Sequence, residues 1–550
     1  MYLRTIQRRN KDGSVVRYLQ LAHNERHPDS GQSVAKVVHS FGREDQLDRD
    51  ALARLVASIS RFLSPEEALE AGAEAELRFQ GSRPMGGAWL LDGLWRKLGI
   101  DAAIRQVAAA GRKIDAAAVE RLLFTLVAQR ALEPGSKLAA VQWANHDVAL
   151  PGVDEVGGDP QVFYRAMDFL LDADEAVQKA VFTAAANLLN LEVDLLFFDT
   201  TSTYFETEHD DALRRYGHSK DHRDDRPQAV IGMAVTRSGI PVRVWTFPGN
   251  TADVSLLEGV KADLRDWQLG RVVWVVDRGF ASADNRRMLQ RGGHHWIMGE
   301  KLRAGGDNHD ALARPGRYRR VADNLQVKTV IIDAGTSNER RFIVCRNLDE
   351  AERDRHRREN ALARLDAELA AIQTKRGDAR LRAEGELLAH PTLRRYLTRR
   401  GTKLTIDRAK AKTEARLDGK YLLSCSDDTL PADDVALGYK QLLEVERGWR
   451  DMKQVLALRP VYHRLDERIR AHVLLCWLAL LLIRVAETTC GDTWRTLRRE
   501  LDRMHLGEFT GPAGRVVQRT ETSPGQAAIF RALDLAEPPK VLDLDTADAA

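Results

Sequence analysis

Cysteine is scarce. The 550 residues hold four, Cys345, Cys425, Cys476 and Cys490, far apart and without metal-ligand spacing. That excludes a cysteine-built metal site and fits free, mostly buried thiols in a reducing compartment. Long apolar runs are lacking too. The longest, Val473–Ile483 (VLLCWLALLLI), is too short to span a bilayer and reads as a buried helix. The first residues, MYLRTIQRRN, hold no signal-peptide apolar stretch. No membrane association is therefore expected. An excess of one charge sign is also missing: 83 Lys and Arg against 80 Asp and Glu leave +3. The average thus says little about partners, and only the distribution of charge can speak. No internal repeat is visible.

What is present is a globular composition, 44% apolar and 30% charged, at a length that predicts two to four domains. Residues 1–46 read as a small basic β unit. YLRTIQRRN and VVRYLQLAHN flank the turn signal KDGS, SVAKVVHSFG follows, and residues 1–43 carry eight Lys/Arg against three Asp/Glu. Residues 47–190 read as helices with no strand between them: ALARLVASISRFL, AWLLDGLWRKLG, AAVERLLFTLVAQRAL, and one long helix QVFYRAMDFLLDADEAVQKAVFTAAANLL.

At Leu191 the pattern changes. LLFFD is a buried strand; QAVIGMAVT and PVRVWTF flank the turn RSGI as a hairpin. The helix DVSLLEGVKADLRDWQ, the strand RVVWVVD, the short helix SADNRRMLQRG and the strand HHWIMGE follow. This order predicts an α/β fold, a mixed sheet with helices on its faces. Residues 303–432 interrupt it with strand-like QVKTVIID, RRFIVCRN and KYLLSCS around a charged helix whose Leu362, Leu365, Leu369 and Ile372 have coiled-coil spacing. Within this insertion, Arg394–Lys412 has eight basic residues and one acid. The core resumes over 433–490 with a single long helix, ADDVALGYKQLLEVERGWRDMKQVLAL. Residues 491–550 form a helical segment and an acidic tail expected to be loose after Pro538.

Two buried strands end on aspartates, Asp199 and Asp277, where α/β sheets place their sites. The late helix offers Glu446, with Tyr439, Arg450 and Lys453 on the same face. Converging carboxylates repel unless neutralised, and a hard-oxygen set favours Mg²⁺, with Mn²⁺ as the alternative. A pair of such ions suits phosphodiester chemistry. Taken singly these residues have bland readings: a strand-end aspartate is commonly a cap, and a helix glutamate commonly faces solvent. The combination, with a basic insertion between, is what points to a site. His218 and His222 in GHSKDHRDD have zinc spacing, but no cysteine or second histidine pair accompanies them. That loop reads either as ordinary solvated chain or as substrate-facing backbone whose Lys220 and Arg223 meet phosphate.

FFDTTSTYFE, YGHSKDHRDDRPQ, VVDRGFASADN and YKQLLEVERGWRDMKQVLALRPVYH together resemble the DDE insertion-sequence transposases with a ribonuclease H-like core, in the branch with a tyrosine-arginine-glutamate-lysine motif. EPGSKLAAVQWA and DERIRAHVLLCWLALLL are similar to the family's helical N-terminal region and terminal core helix. The resemblance implies that Asp199, Asp277 and Glu446 are catalytic and hold two Mg²⁺ ions. It implies that the enzyme cuts transposon ends and joins their 3′ hydroxyls to target DNA, and that Tyr439 and Lys453 contact phosphate. The motif's arginine falls on Leu442, a departure for which Arg450 is the nearest substitute, so excision through a DNA hairpin is not implied. The implied partners are the terminal inverted repeats and target DNA, met by a homodimer, in the cytoplasm of a bacterium and on its nucleoid when DNA-bound. The rivals are a metal-dependent nuclease or resolvase that never joins ends, and a DNA-binding regulator without catalysis.

Overall fold

The computed structural model describes residues 1–11, 14–26, 32–60, 78–111, 115–189, 195–267, 272–336, 339–511 and 514–546. The centre of the KDGS turn, the end of the ALARLVASISRFL helix and residues 191–194 before LLFFD lie outside them. The chain divides into two units: Met1–Gly81 with Gly507–Gln518 and Val541–Ala550, and Ser82–Leu506 with Arg519–Lys540.

The first unit holds the antiparallel meander expected at the N-terminus, β1 (Tyr2–Arg9), β2 (Val15–Arg26) and β3 (Ser33–Arg43), followed by the helix Arg49–Ser60. It also holds a sheet that the sequence did not suggest. β4 (Arg78–Pro84) interrupts the stretch read as all-helical and lies beside β16 (His505–Gly511), β17 (Gly514–Arg519) and β18 (Val541–Thr546). The tail is therefore not loose as far as Thr546. VLDLDT alternates apolar and acidic residues, and Asp543 pairs with Arg515 of β17 at 2.6 Å.

In the second unit, helices Gly86–Lys97, Ile100–Gly111, Ala116–Leu132, Gln161–Asp172 and Asp174–Leu189 form the N-terminal part. The last two were expected as one helix; the chain turns at Ala173, outside helical geometry. Asp115 starts the third by accepting from the amides of Ala117 and Ala118. The 25-residue helix Asp466–Cys490 is long and apolar enough to cross a bilayer, but it is buried among its neighbours as a core helix. Its buried Arg484 is held by Asp451 and Glu487, both at 2.7 Å.

The central sheet has nine strands in the order β10-β11-β12-β15-β9-β8-β5-β6-β7. β5 (Leu195–Tyr204), β8 (Val273–Val276) and β9 (His295–Glu300) are parallel; β6 (Gln228–Val235) and β7 (Pro241–Pro248) form the antiparallel hairpin on the far side of β5. This is the ribonuclease H-like order. β5 and β8 read as continuous apolar runs because both their faces are covered. Phe198, Trp245, Leu257, Trp274, Phe280 and Met298 fill one face. β10 (Arg319–Ala322), β11 (Leu325–Ile332), β12 (Arg340–Asn347) and β15 (Lys420–Cys425) extend the sheet beyond β9, so the strands of residues 303–432 share the core's sheet. The hairpin β13 (Leu397–Arg400) and β14 (Lys403–Ile406) stands apart from that sheet. The charged helix Leu348–Gln373 spends its heptad-like leucines inside this chain: Leu365, Leu369 and Ile372 pack with Leu387, Leu393, Tyr396 and Leu404.

Candidate active site

The parallel ladder between β5 and β8 ends at the pair Phe198 and Val276. The next residues in that register are Asp199 and Asp277, which brings two carboxylates 78 positions apart in sequence side by side. Asp277 follows the last residue of β8, as expected. Asp199 does not end its strand. Thr200–Tyr204 stay paired with β6 down to Gln228, since β-branched and aromatic residues suit a pleated surface.

A third acid joins them that the sequence reading passed over. Asp253, at the start of a short 3-10 helix after β7, accepts from the Thr200 hydroxyl at 2.6 Å. Lys220 lies between the acids. Its ammonium is 3.2 Å from Asp253 Oδ2 and 3.7 Å from Asp199 Oδ1, and donates to the Thr200 carbonyl at 2.8 Å and hydroxyl at 2.5 Å. Ser202 fixes the loop by accepting from the Lys220 amide. Burial raises the Asp199 carboxyl to about 6; Lys220 opposes the rise, while Asp253 and Asp277 add to it. The signal for Asp253 was available in PGNTAD, but it was absorbed into a helix prediction. Instead, the segment is broken into 3-10 turns at Asp253–Ser255 and Arg265–Trp267 around the helix Leu257–Asp263.

The late helix is likewise two: Ala432–Lys440 and Leu443–Gln454. The chain tightens at Gln441 and Leu442, whose amides reach back only three residues to Gly438 and Tyr439. Tyr439 therefore leaves the face of the other three. Its hydroxyl donates to Asp277 Oδ1 at 2.8 Å, and burial beside that carboxylate keeps it protonated. Gly299 of β9 makes room, since a Cβ there would collide with the Tyr439 hydroxyl. Helix Leu443–Gln454 packs on β5 and β6, with Gly448 against Met233, the partner of Asp199 across the ladder. On it, Glu446 and Arg450 are exposed. Lys453 turns inward to Asp221 at 2.8 Å, and Arg459 holds that aspartate's other oxygen at 2.6 Å. Arg223 is forked onto Asp225 and lies over the Tyr204 ring. His218 and His222 join no group that could hold a metal.

The donors fit a hard divalent cation in kind: aspartate oxygens on adjacent strands, mutually repelling, with a lysine ammonium already between two of them. Among the described residues no three such side chains are gathered into a metal cage, and Glu446 is not drawn in with Asp199 and Asp277. The cavity of about 540 Å³ between Lys261, Trp274 and His294 is lined by none of these acids.

Residues 3–71 match the model of the IS1634 family transposase N-terminal domain, and residues 194–482 match the transposase DDE domain. Among curated proteins no relative matches. A solved structure, the piggyBac transposase synaptic complex with hairpin DNA, is similar over 76% of this chain and 79% of that one, at 11% identity and a TM-score of 0.37. The DDE match spans more than half the chain and contains Asp199, Asp277 and Glu446; the chain belongs to the DDE transposases of insertion sequences.

Proposed function

We propose that this transposase cuts at the ends of its element and joins the freed 3′ hydroxyls to target DNA by phosphoryl transfer, with Asp199, Asp277 and Glu446 as its acids. The observation that carries the reading is the in-register pair Asp199 and Asp277 at the end of the β5–β8 ladder. These two and Glu446 would hold Mg²⁺ or Mn²⁺ ions, which when bound make a water or a 3′ hydroxyl nucleophilic and stabilise the leaving oxygen. Tyr439 fixes one Asp277 oxygen. Lys220 neutralises Asp199 and Asp253 until a cation or DNA arrives. Lys220 is the side chain best placed to turn from the acids to a backbone phosphate.

Transposon-end repeats and target DNA are the partners, and joining two ends calls for a homodimer on the DNA. Phosphate contacts would come from exposed Arg8 and Arg9 in the N-terminal sheet, where Lys36 is already paired with Glu25, and from Arg394 and Arg400 in the basic segment. Arg395, Arg399 and Arg408 in that segment already face Glu414, Glu384 and Asp366. The test is a strand-transfer assay with pre-cut ends carrying the inverted repeats that flank the coding region. Joined products in Mg²⁺ are expected; ends that are cut but never joined would make this a nuclease.

A further inference from the structure

Away from the acids, four side chains able to carry positive charge meet, and none of them is ion-paired with a carboxylate among the described residues. Arg130 closes the helix Ala116–Leu132, Lys137 opens the helix Lys137–Gln142 within EPGSKLAAVQWA, His463 lies in the linker before the core helix, and His472 lies on that helix. Arg130, Lys137 and His472 are only 4%, 3% and 4% exposed. The two imidazole rings are 5.5 Å apart. Arg130 reaches the carbonyls of Leu456 and Ala457 at a long 3.4 Å, and its Nε has no partner. His472 donates Nε2–H to the Leu458 carbonyl at 3.3 Å while its Nδ1 has no partner, and Lys137 makes no hydrogen bond or ion pair among the described residues.

Buried charge without a counter-charge is costly. Lysine and histidine can escape by losing a proton. Burial, with Arg130 adjacent, lowers Lys137 to about 7, and burial with Lys137 adjacent lowers both histidines. A guanidinium has no such escape. The nearest opposing group, the Cys476 thiol, is pushed up to about 11 and stays neutral. The cluster thus presents the N–H groups of Arg130 and Lys137 around a permanent charge, the arrangement that suits an oxyanion, and His472 Nδ1 adds a donor when it takes up a proton. At its edge His463 also forms part of the wall of a cavity of about 450 Å³ with Phe205, Glu206, Arg214, Pro460, Tyr462 and Arg464, where two arginines outnumber one acid.

We propose that Arg130, Lys137 and His472 form a phosphate-binding site separate from the acids, entered past His463. The phosphate is either free inorganic phosphate, tying the N-terminal helices to the core helix, or a backbone phosphate of bound DNA.

The test uses the full chain, the Lys137→Met variant and, should that variant fold poorly, His463→Gln. In the first arm sodium phosphate replaces sodium chloride at constant ionic strength and the unfolding midpoint is followed. In the second, affinity for a random duplex is measured against salt. A wild-type midpoint raised by about 1–2 °C in phosphate, with the rise lost in the variant and the salt slope unchanged, supports the site with free phosphate as its ligand. A salt slope shallower by about one in the variant, with no response to inorganic phosphate, supports the site with DNA as its source. No phosphate response in the wild type together with an unchanged slope in the variant overturns it.

Discussion

The Tyr439 hydroxyl donates to Asp277 Oδ1 at 2.8 Å, joining the end of one helix to the tip of a strand 162 residues earlier. A single hydrogen bond thus fixes the carboxylate nearest the end of β8. Tyr439→Phe keeps the ring and its stacking on Tyr421 and removes only that bond. Hydrogen bonds to charged groups contribute about 1.5–3 kcal/mol, so single-turnover cleavage should slow by roughly tenfold or more while affinity for the ends holds. Loss of affinity with unchanged cleavage would instead make Tyr439 a phosphate contact.

Asp199 gives a pH signature. Its folded carboxyl titrates at about 6 against an ordinary 3.8, so the folded state holds the proton more tightly. Stability therefore falls as pH rises from about 4 to about 6, and the full cost is present above that. Asp199→Asn should be more stable than wild type by about 1–3 kcal/mol at pH 8 in the absence of divalent ions, and the gain should vanish near pH 4. Urea denaturation at both pH values checks this. If Asp199 holds the cation, proton and Mg²⁺ compete for its carboxylate, so the Mg²⁺ concentration that gives half-maximal cleavage should rise as pH drops through about 6.

Asp253 reaches Thr200 and Lys220 because the chain after β7 folds back onto β5. Asp253→Asn weakens its hold on Lys220 while the amide can still engage Thr200. Cleavage by this variant should fall about tenfold to hundredfold, with DNA affinity at fixed salt unchanged; activity equal to wild type would restrict Asp253 to its structural bond with Thr200.

Lys453 reads from sequence as a DNA contact and is found in a half-buried pair. Lys453→Met leaves Asp221 with Arg459 alone, so a loss of about 1–3 kcal/mol in chemical denaturation is expected. A variant of wild-type stability with weakened end binding would return Lys453 to the DNA.

Much of the sheet was legible because its signals are local. Apolar runs of strand length and the RSGI turn gave β5 to β9 nearly in place, and the two aspartates followed from where those runs stop. What was missed depends on distant partners. β4 is stabilised by pairing with β16 more than 400 residues on, and β18 by pairing with β17 23 to 32 residues back, so VLDLDT looks like a tail until Arg515 reaches Asp543. The break at Gln441–Leu442 carries no proline or glycine at the turn itself, so the helical period of ADDVALGYKQLLEVERGWRDMKQVLAL ran through it and set Tyr439 on the wrong face. Asp221 and Lys453 are 232 residues apart, and nothing in either segment announces the pair.

Glu446 is proposed to join Asp199 and Asp277 around metal when DNA is bound. Iron-directed backbone cleavage tests it most directly: Fe²⁺ replaces Mg²⁺ in the complex with transposon-end DNA, ascorbate and peroxide are added, and the fragments are mapped. Cuts clustered beside all three residues are expected, with loss of the cluster near residue 446 in Glu446→Gln. Cuts beside Asp199 and Asp277 with none near Glu446 would contradict it.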